Sequence, residues 1–102
     1  MHELIGSKRR EIVELCRRLA IRRLDLFGSA TTTSFDATAS DVDVLVEFPD
    51  EPGYDHFEAF FALKEGLEEM LGVPVDVVSS TGIRNPYFRQ SVMATREPLY
   101  AA

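Results

Sequence analysis

One cysteine, Cys16, stands among 102 residues, so no intrachain disulfide can form and the cytoplasm is the expected compartment. No apolar run approaches the roughly 18 residues that a membrane span needs. The opening stretch, MHELIGSKRREIVELC, is charged throughout and lacks the apolar segment of a secretory signal. There is no internal repeat and no linker, and the length suits one domain over 1–102. Positive charge is scarce beyond residue 23. Residues 24–102 hold four basic residues against fourteen acids, a net −10, whereas residues 1–23 hold seven against three, a net +4. A nucleic-acid backbone is attracted by Lys and Arg that release its counterions. An acidic body lacks that attraction, so direct nucleic-acid binding is not expected, while divalent cations are suited to it. The basic segment reads first as a solvated helix face, with a patch for an acidic partner as the alternative.

What is present is ordinary globular composition, 45% hydrophobic and 27% charged, enough for one core without metal or disulfide staples. Ile5, Ile12, Leu15, Cys16 and Leu19 recur at helical spacing and predict a helix over 7–19. Cys16 falls on its apolar stripe, which suits a buried structural thiol rather than a nucleophile. Short strands are expected over 22–27 and 41–48, separated by a small, polar loop over 30–40. Asp55 and Glu58 form a capping-box pair at the start of a helix over 55–71. Its buried stripe is expected from Phe57, Phe60, Phe61, Leu67, Met70 and Leu71, and Gly72 is placed to end it. A third strand reads over 73–79. Asn85 and Pro86 open a last helix over 86–95, after which Leu99 and Tyr100 read as a docking tail. The order predicts a small α/β (α+β) domain with helices packed on a mixed sheet.

Asp41 and Asp43 lie two apart on the second strand, so their side chains share a face with α-carbons roughly 6.5–7 Å apart. Two carboxylates held together are costly unless a cation or a proton separates them. Asp76 interrupts an apolar strand between Val75 and Val77. If buried it requires a partner; an edge position facing water is the alternative. Should the third strand lie beside the second, three carboxylates meet, and such hard oxygen ligands select magnesium or manganese. Upstream, Leu26-Phe27-Gly28-Ser29 places a glycine directly after a strand, where exposed amides can take a phosphate. A phosphate-binding turn before a carboxylate pair is the layout of a metal–nucleotide site.

The run LFGSATTTSFDATASDVDVLVEF from Leu26 to Phe48 resembles the minimal nucleotidyltransferases of the DNA-polymerase-β-like superfamily. Their Gly-Ser, loop and Asp-x-Asp match Gly28-Ser29 and Asp41-Val42-Asp43, and their later carboxylate, in a Val-Asp-Val-Val context, matches Asp76. The ending RNPYFRQSVMATREPLY is also similar to theirs. The resemblance implies the polymerase-β-like fold and two Mg2+ ions (with Mn2+ as the substitute) about 3.5–4 Å apart on Asp41, Asp43 and Asp76. It also implies ATP as substrate, its β- and γ-phosphates held at Gly28 and Ser29. Free-standing members of this size resemble antitoxins that transfer AMP to a tyrosine hydroxyl of a HEPN-type ribonuclease toxin, which would be the partner. The alternative is an antitoxin of the same fold that neutralises its toxin by binding alone. Members usually carry an arginine just after the Gly-Ser; here Ala30-Thr31-Thr32-Thr33 has none. That implies weaker catalysis unless Lys64, Arg84 or Arg89 takes the role.

Overall fold

A computed structural model describes residues 3–27, 42–80 and 85–102. The elements are α1 (Glu3–Ser7), α2 (Arg9–Arg18), β1 (Arg23–Phe27), β2 (Val42–Glu47), α3 (His56–Leu71), β3 (Val75–Ser79), α4 (Pro86–Thr95) and β4 (Glu97–Ala101). The helix expected over 7–19 is α2, and a short helix that was not expected, α1, precedes it. Gly6 and Ser7 are weak helix formers, and the chain turns at Lys8, whose N–H donates to the Ile5 carbonyl at 3.1 Å. α2 ends in a Schellman arrangement. The Ala20 N–H reaches the Arg17 carbonyl and the Ile21 N–H reaches the Cys16 carbonyl, with Ala20 in the left-handed region at φ 56°, where glycine is usual. The hydroxyl of Tyr54 donates to the Leu19 carbonyl at 2.6 Å, satisfying another group at this helix end.

The sheet runs β3-β2-β1-β4. β1 is antiparallel to β2 and β4, and β2 is parallel to β3, so the sheet is mixed as expected. β4 was not expected as a strand. Pro98 cannot donate to a ladder, which hides the strand in the sequence, but an edge position tolerates it. Leu99 is buried there.

The two sheet faces differ. Leu24, Leu26, Val42, Val44, Val46, Val75 and Val77 pack with Ile12, Leu15 and Cys16 of α2 and with Leu63, Leu67 and Leu71 of α3 in one core. Gly66 allows α2 and α3 their close approach, since a Cβ there would stand 2.8 Å from Leu15 Cδ2. α3 has the expected N-cap, with Asp55 accepting from the Glu58 N–H at 2.9 Å, and Gly72 ends it at φ 69°. Its buried stripe is Ala59, Leu63, Leu67 and Leu71. Phe57 and Phe61 instead face outward, with their rings 4.9 Å apart. A fully i, i+4 row of smaller residues faces the sheet, and the bulkier phenylalanines fall on the flank.

On the opposite sheet face Phe27 and Leu45 form a smaller cluster with Val92 of α4, with Val78 and Met93 against it. α4 covers this face in part. Asn85 caps it by accepting from the N–H groups of Tyr87 and Phe88, as the sequence predicts.

Candidate active site

The parallel register of β2 and β3 places Asp43 directly opposite Asp76. Neighbouring strands lie about 4.8 Å apart and in-register residues project from the same face, so the two carboxylates share the face on which α4 lies. Asp43 is half-buried and Asp76 is exposed. The edge location expected as an alternative for Asp76 and its juxtaposition with Asp43 are thus both true. On the other side of β2, Phe27 is the register partner of Asp43. Phe27 is the last residue of β1, so β1 ends beside the carboxylate pair. Gly28, Ser29 and Asp41 lie outside the described residues. Phe88 of α4 meets Phe27 edge-on, ring centroids 6.1 Å apart, and forms the apolar flank of the site.

Oxygen donors from two carboxylates side by side are the donor chemistry of a hard divalent cation, and Asp43 and Asp76 supply it. The pair needs a long crossover connection, because parallel neighbours cannot be joined by a tight turn. α3 is that connection, and its packing sets where β3 lies.

Two groups of charges escaped the sequence reading. Asp25 is buried at 1% exposure. The Nε of Arg23 donates to both of its carboxylate oxygens, at 3.1 and 2.8 Å, and Arg96 Nη1 stands 3.6 Å away. These residues, with Glu47, Ser80, Arg89 and Met93, line a recess of about 200 Å³. Leu45 also lines the recess, two residues or roughly 6.5 Å along β2 from Asp43, so the recess opens on the same sheet face as the carboxylate pair, although neither Asp43 nor Asp76 lines it. Alternation in RRLDLF places Arg23 and Asp25 on one face, and only the pairing with β4 reveals Arg96 beside them.

The second group is on α3. Lys64 Nζ donates to the Val75 carbonyl at 2.6 Å and to Glu68 Oε2 at 3.3 Å, while Glu68 Oε2 accepts from the Val75 N–H at 3.0 Å. The Val75 amide and Lys64 hold the Glu68 carboxyl below the usual carboxylate range. Lys64 is therefore engaged at the outer edge of β3. Arg89 Nη1 reaches the Ser80 carbonyl at 3.4 Å and lines the recess. Arg84 lies outside the described residues. Cys16 is buried, and burial pushes its thiol up to about 12, far from the thiolate a nucleophile requires.

Residues 9–98 match the family described as nucleotidyltransferase domain. The chain belongs to that family. A chain of Methanocaldococcus jannaschii, MJ1379, provisionally named a protein adenylyltransferase, is 38% identical over 72 residues, covering 71% of this chain and 70% of the relative. Protein adenylyltransferase MntA of Thermococcus cleftensis is 35% identical over 72 residues, covering 71% of this chain and 69% of the relative. A solved structure provisionally assigned as a minimal nucleotidyltransferase superposes with a TM-score of 0.78 at 34% identity, covering 94% of this chain and 93% of that one. The structure of a tri-AMPylated HEPN toxin of Shewanella oneidensis in complex with its MNT antitoxin matches with a TM-score of 0.67 at 21% identity, covering 95% of this chain and 72% of that one. At that identity the likeness concerns the fold. The four-stranded mixed sheet with flanking helices is the minimal nucleotidyltransferase architecture.

Proposed function

We propose that this nucleotidyltransferase transfers AMP from ATP to a tyrosine hydroxyl of a HEPN-type ribonuclease toxin and thereby silences it. The observation that carries the reading is the register pairing of Asp43 with Asp76 beside the end of β1. Relatives named protein adenylyltransferases and the antitoxin–toxin complex of the same fold support the choice of reaction and partner.

Asp43 and Asp76, with Asp41, would hold two Mg2+ ions, or Mn2+ in their place. Bound there, the ions would favour the ionised acceptor hydroxyl and offset triphosphate charge during in-line displacement of pyrophosphate. Asp43 and Asp76 would hold an ion near the acceptor hydroxyl, and Asp41 would join them as a further oxygen ligand. The Gly28 and Ser29 amides would bind the β- and γ-phosphates. Phe27, the register partner of Asp43, and Phe88 against it would offer an apolar surface beside the pair. The acceptor comes from outside the described residues, as suits a macromolecular partner that presents its own hydroxyl.

The test incubates the chain with α-labelled ATP, Mg2+ and a HEPN-type toxin. Label is expected on the toxin with wild type. Asp43→Asn, which removes a charge while keeping the shape, is expected to abolish labelling with the fold intact. Undiminished transfer by Asp43→Asn would remove Asp43 from the site. Toxin neutralised without label, by wild type and variant alike, would establish the alternative in which binding alone suffices.

A further inference from the structure

We propose that Lys64 and Glu68 of α3 are positioning residues for Asp76, fixing from the outer edge of the sheet where its carboxylate stands beside Asp43. This rests on the reading of Asp43 and Asp76 as ligands of a divalent ion.

β3 is the last strand of the sheet, with β2 on one side. Along a strand the main-chain polar groups point alternately to its two edges. At the start of β3 the inward side is fastened by Val42, whose N–H donates to the Pro74 carbonyl at 3.0 Å. The N–H and carbonyl of Val75 point outward, where an edge strand ordinarily meets water. Both are taken by α3. Glu68 accepts from the N–H, Lys64 donates to the carbonyl, and the two side chains bond each other. One residue is thus held from the outer edge by a closed ring of three contacts, and the next residue is Asp76.

The ring is not needed to attach α3 to the sheet, because Ala59, Leu63, Leu67 and Leu71 already bury its inner face. It also immobilises a lysine, the side chain with among the largest rotamer entropies to lose. What the ring adds is restraint on the backbone of an edge strand, where local opening is otherwise cheap. Carboxylates reach a small divalent ion at only about 2.0–2.6 Å, so a shift of Asp76 by a fraction of an ångström is felt at the ion.

Simple electrostatics gives the opposite expectation for one variant. Removing the Lys64 charge near a cation site should tighten cation binding, whereas release of the Val75 carbonyl should weaken it. The experiment compares wild type with Lys64→Met, Glu68→Ala, Glu68→Gln and Asp76→Asn. It measures Mn2+ affinity by calorimetry, amide exchange at Val75 and Val77 without metal, and the melting temperature. Lys64→Met and Glu68→Ala are expected to weaken Mn2+ binding roughly tenfold, the scale of outer-shell support of metal ligands. Both are expected to speed exchange at Val75 while leaving the chain folded at the assay temperature. Glu68→Gln keeps an oxygen for the Val75 N–H and is expected to fall between them and wild type.

Unchanged or tighter Mn2+ binding in Lys64→Met, with Asp76→Asn binding lost, overturns the positioning role and leaves the metal site standing. Wild type binding no better than Asp76→Asn removes the metal reading and the positioning role with it. Should either truncation unfold the chain, Glu68→Gln decides through both readouts: weaker Mn2+ binding with faster exchange at Val75 upholds the positioning role, whereas equal binding, or weaker binding with unchanged exchange, overturns it.

Discussion

At the scale of single residues, two positions store free energy that substitution can release or strand. Ala20 ends α2 in the left-handed region, a conformation that costs an L-residue about 1–2 kcal/mol. Ala20→Gly removes that cost but adds freedom to the unfolded chain, so a net stabilisation of about 0.5–1 kcal/mol is expected, read as a raised urea midpoint at unchanged slope. The second position is Arg23. Asp25 is almost fully enclosed, whereas the side chains of Arg23 and Arg96 are about a third exposed, at 35% and 31%. Among the described residues, removing Arg23 leaves the buried carboxylate with the Arg96 guanidinium at 3.6 Å. Breaking one side of a buried pair commonly costs about 3–5 kcal/mol. The remaining arginine reduces this, and Arg23→Ala is expected to lose roughly 2–3 kcal/mol. A calorimetric melting shift below about 5 °C would mean that Arg96 or water fully takes over.

The elements show how far the sequence could be read. The caps of α3 and α4 were legible because Asp55, Gly72, Asn85 and Pro86 act on neighbouring main-chain groups and need no tertiary information. β2 was legible by alternation and β3 as a short apolar run, and the acid interrupting β3 pointed to its own importance. β4 was not legible, since Pro98 masks a strand whose only requirement is an edge beside β1. Phe57 and Phe61 were assigned to the core on hydrophobicity, yet the row Ala59-Leu63-Leu67-Leu71 is the one that fits the sheet. The ring at Val75 was invisible for a related reason. Lys64 reads only as a candidate substitute for the loop arginine, and nothing in the sequence says that a strand edge lies within reach of Lys64 and Glu68.

This ring gives an element-scale prediction in pH. The Glu68 carboxyl is held below its ordinary value, first by the Val75 amide and then by Lys64. A lowered carboxyl contributes stability that is present above the unfolded value and lost as pH falls through the folded one. Protection of the Val75 amide, corrected for intrinsic exchange, is therefore expected to be constant from neutral pH down to the ordinary carboxylate range. It should then decline below that range. In Glu68→Gln the same window should be flat. A decline shared by both chains would assign it to another group.

For the whole molecule, the charge distribution sets the response to ions. The segment beyond residue 23 carries a net −10, and Asp43 and Asp76 concentrate two of those charges at one place. A ligand that binds only the folded chain stabilises it by mass action, by about 2.7 kcal/mol at a hundredfold excess over its dissociation constant. Millimolar Mn2+ is expected to raise the melting temperature of wild type, and to raise that of Asp43→Asn and Asp76→Asn much less. An equal rise in all three would show that the ions act on the acidic surface at large. Sodium at matched ionic strength is the control, since screening alone relieves repulsion between distant surface charges.

The parallel pairing of β2 with β3 also has a kinetic meaning. Asp43 and Asp76 become neighbours only when α3 has folded back and β3 has docked, a closure whose chain entropy is lost before any contact compensates for it. The unfolded chain contains both carboxylates but not their juxtaposition. Any ligand that both of them grip therefore recognises the completed crossover and must be released before β3 can leave. Such a ligand acts as a bolt on the exit step. It is expected to slow unfolding while leaving the refolding rate nearly unchanged, wherever this pairing forms after the folding transition state.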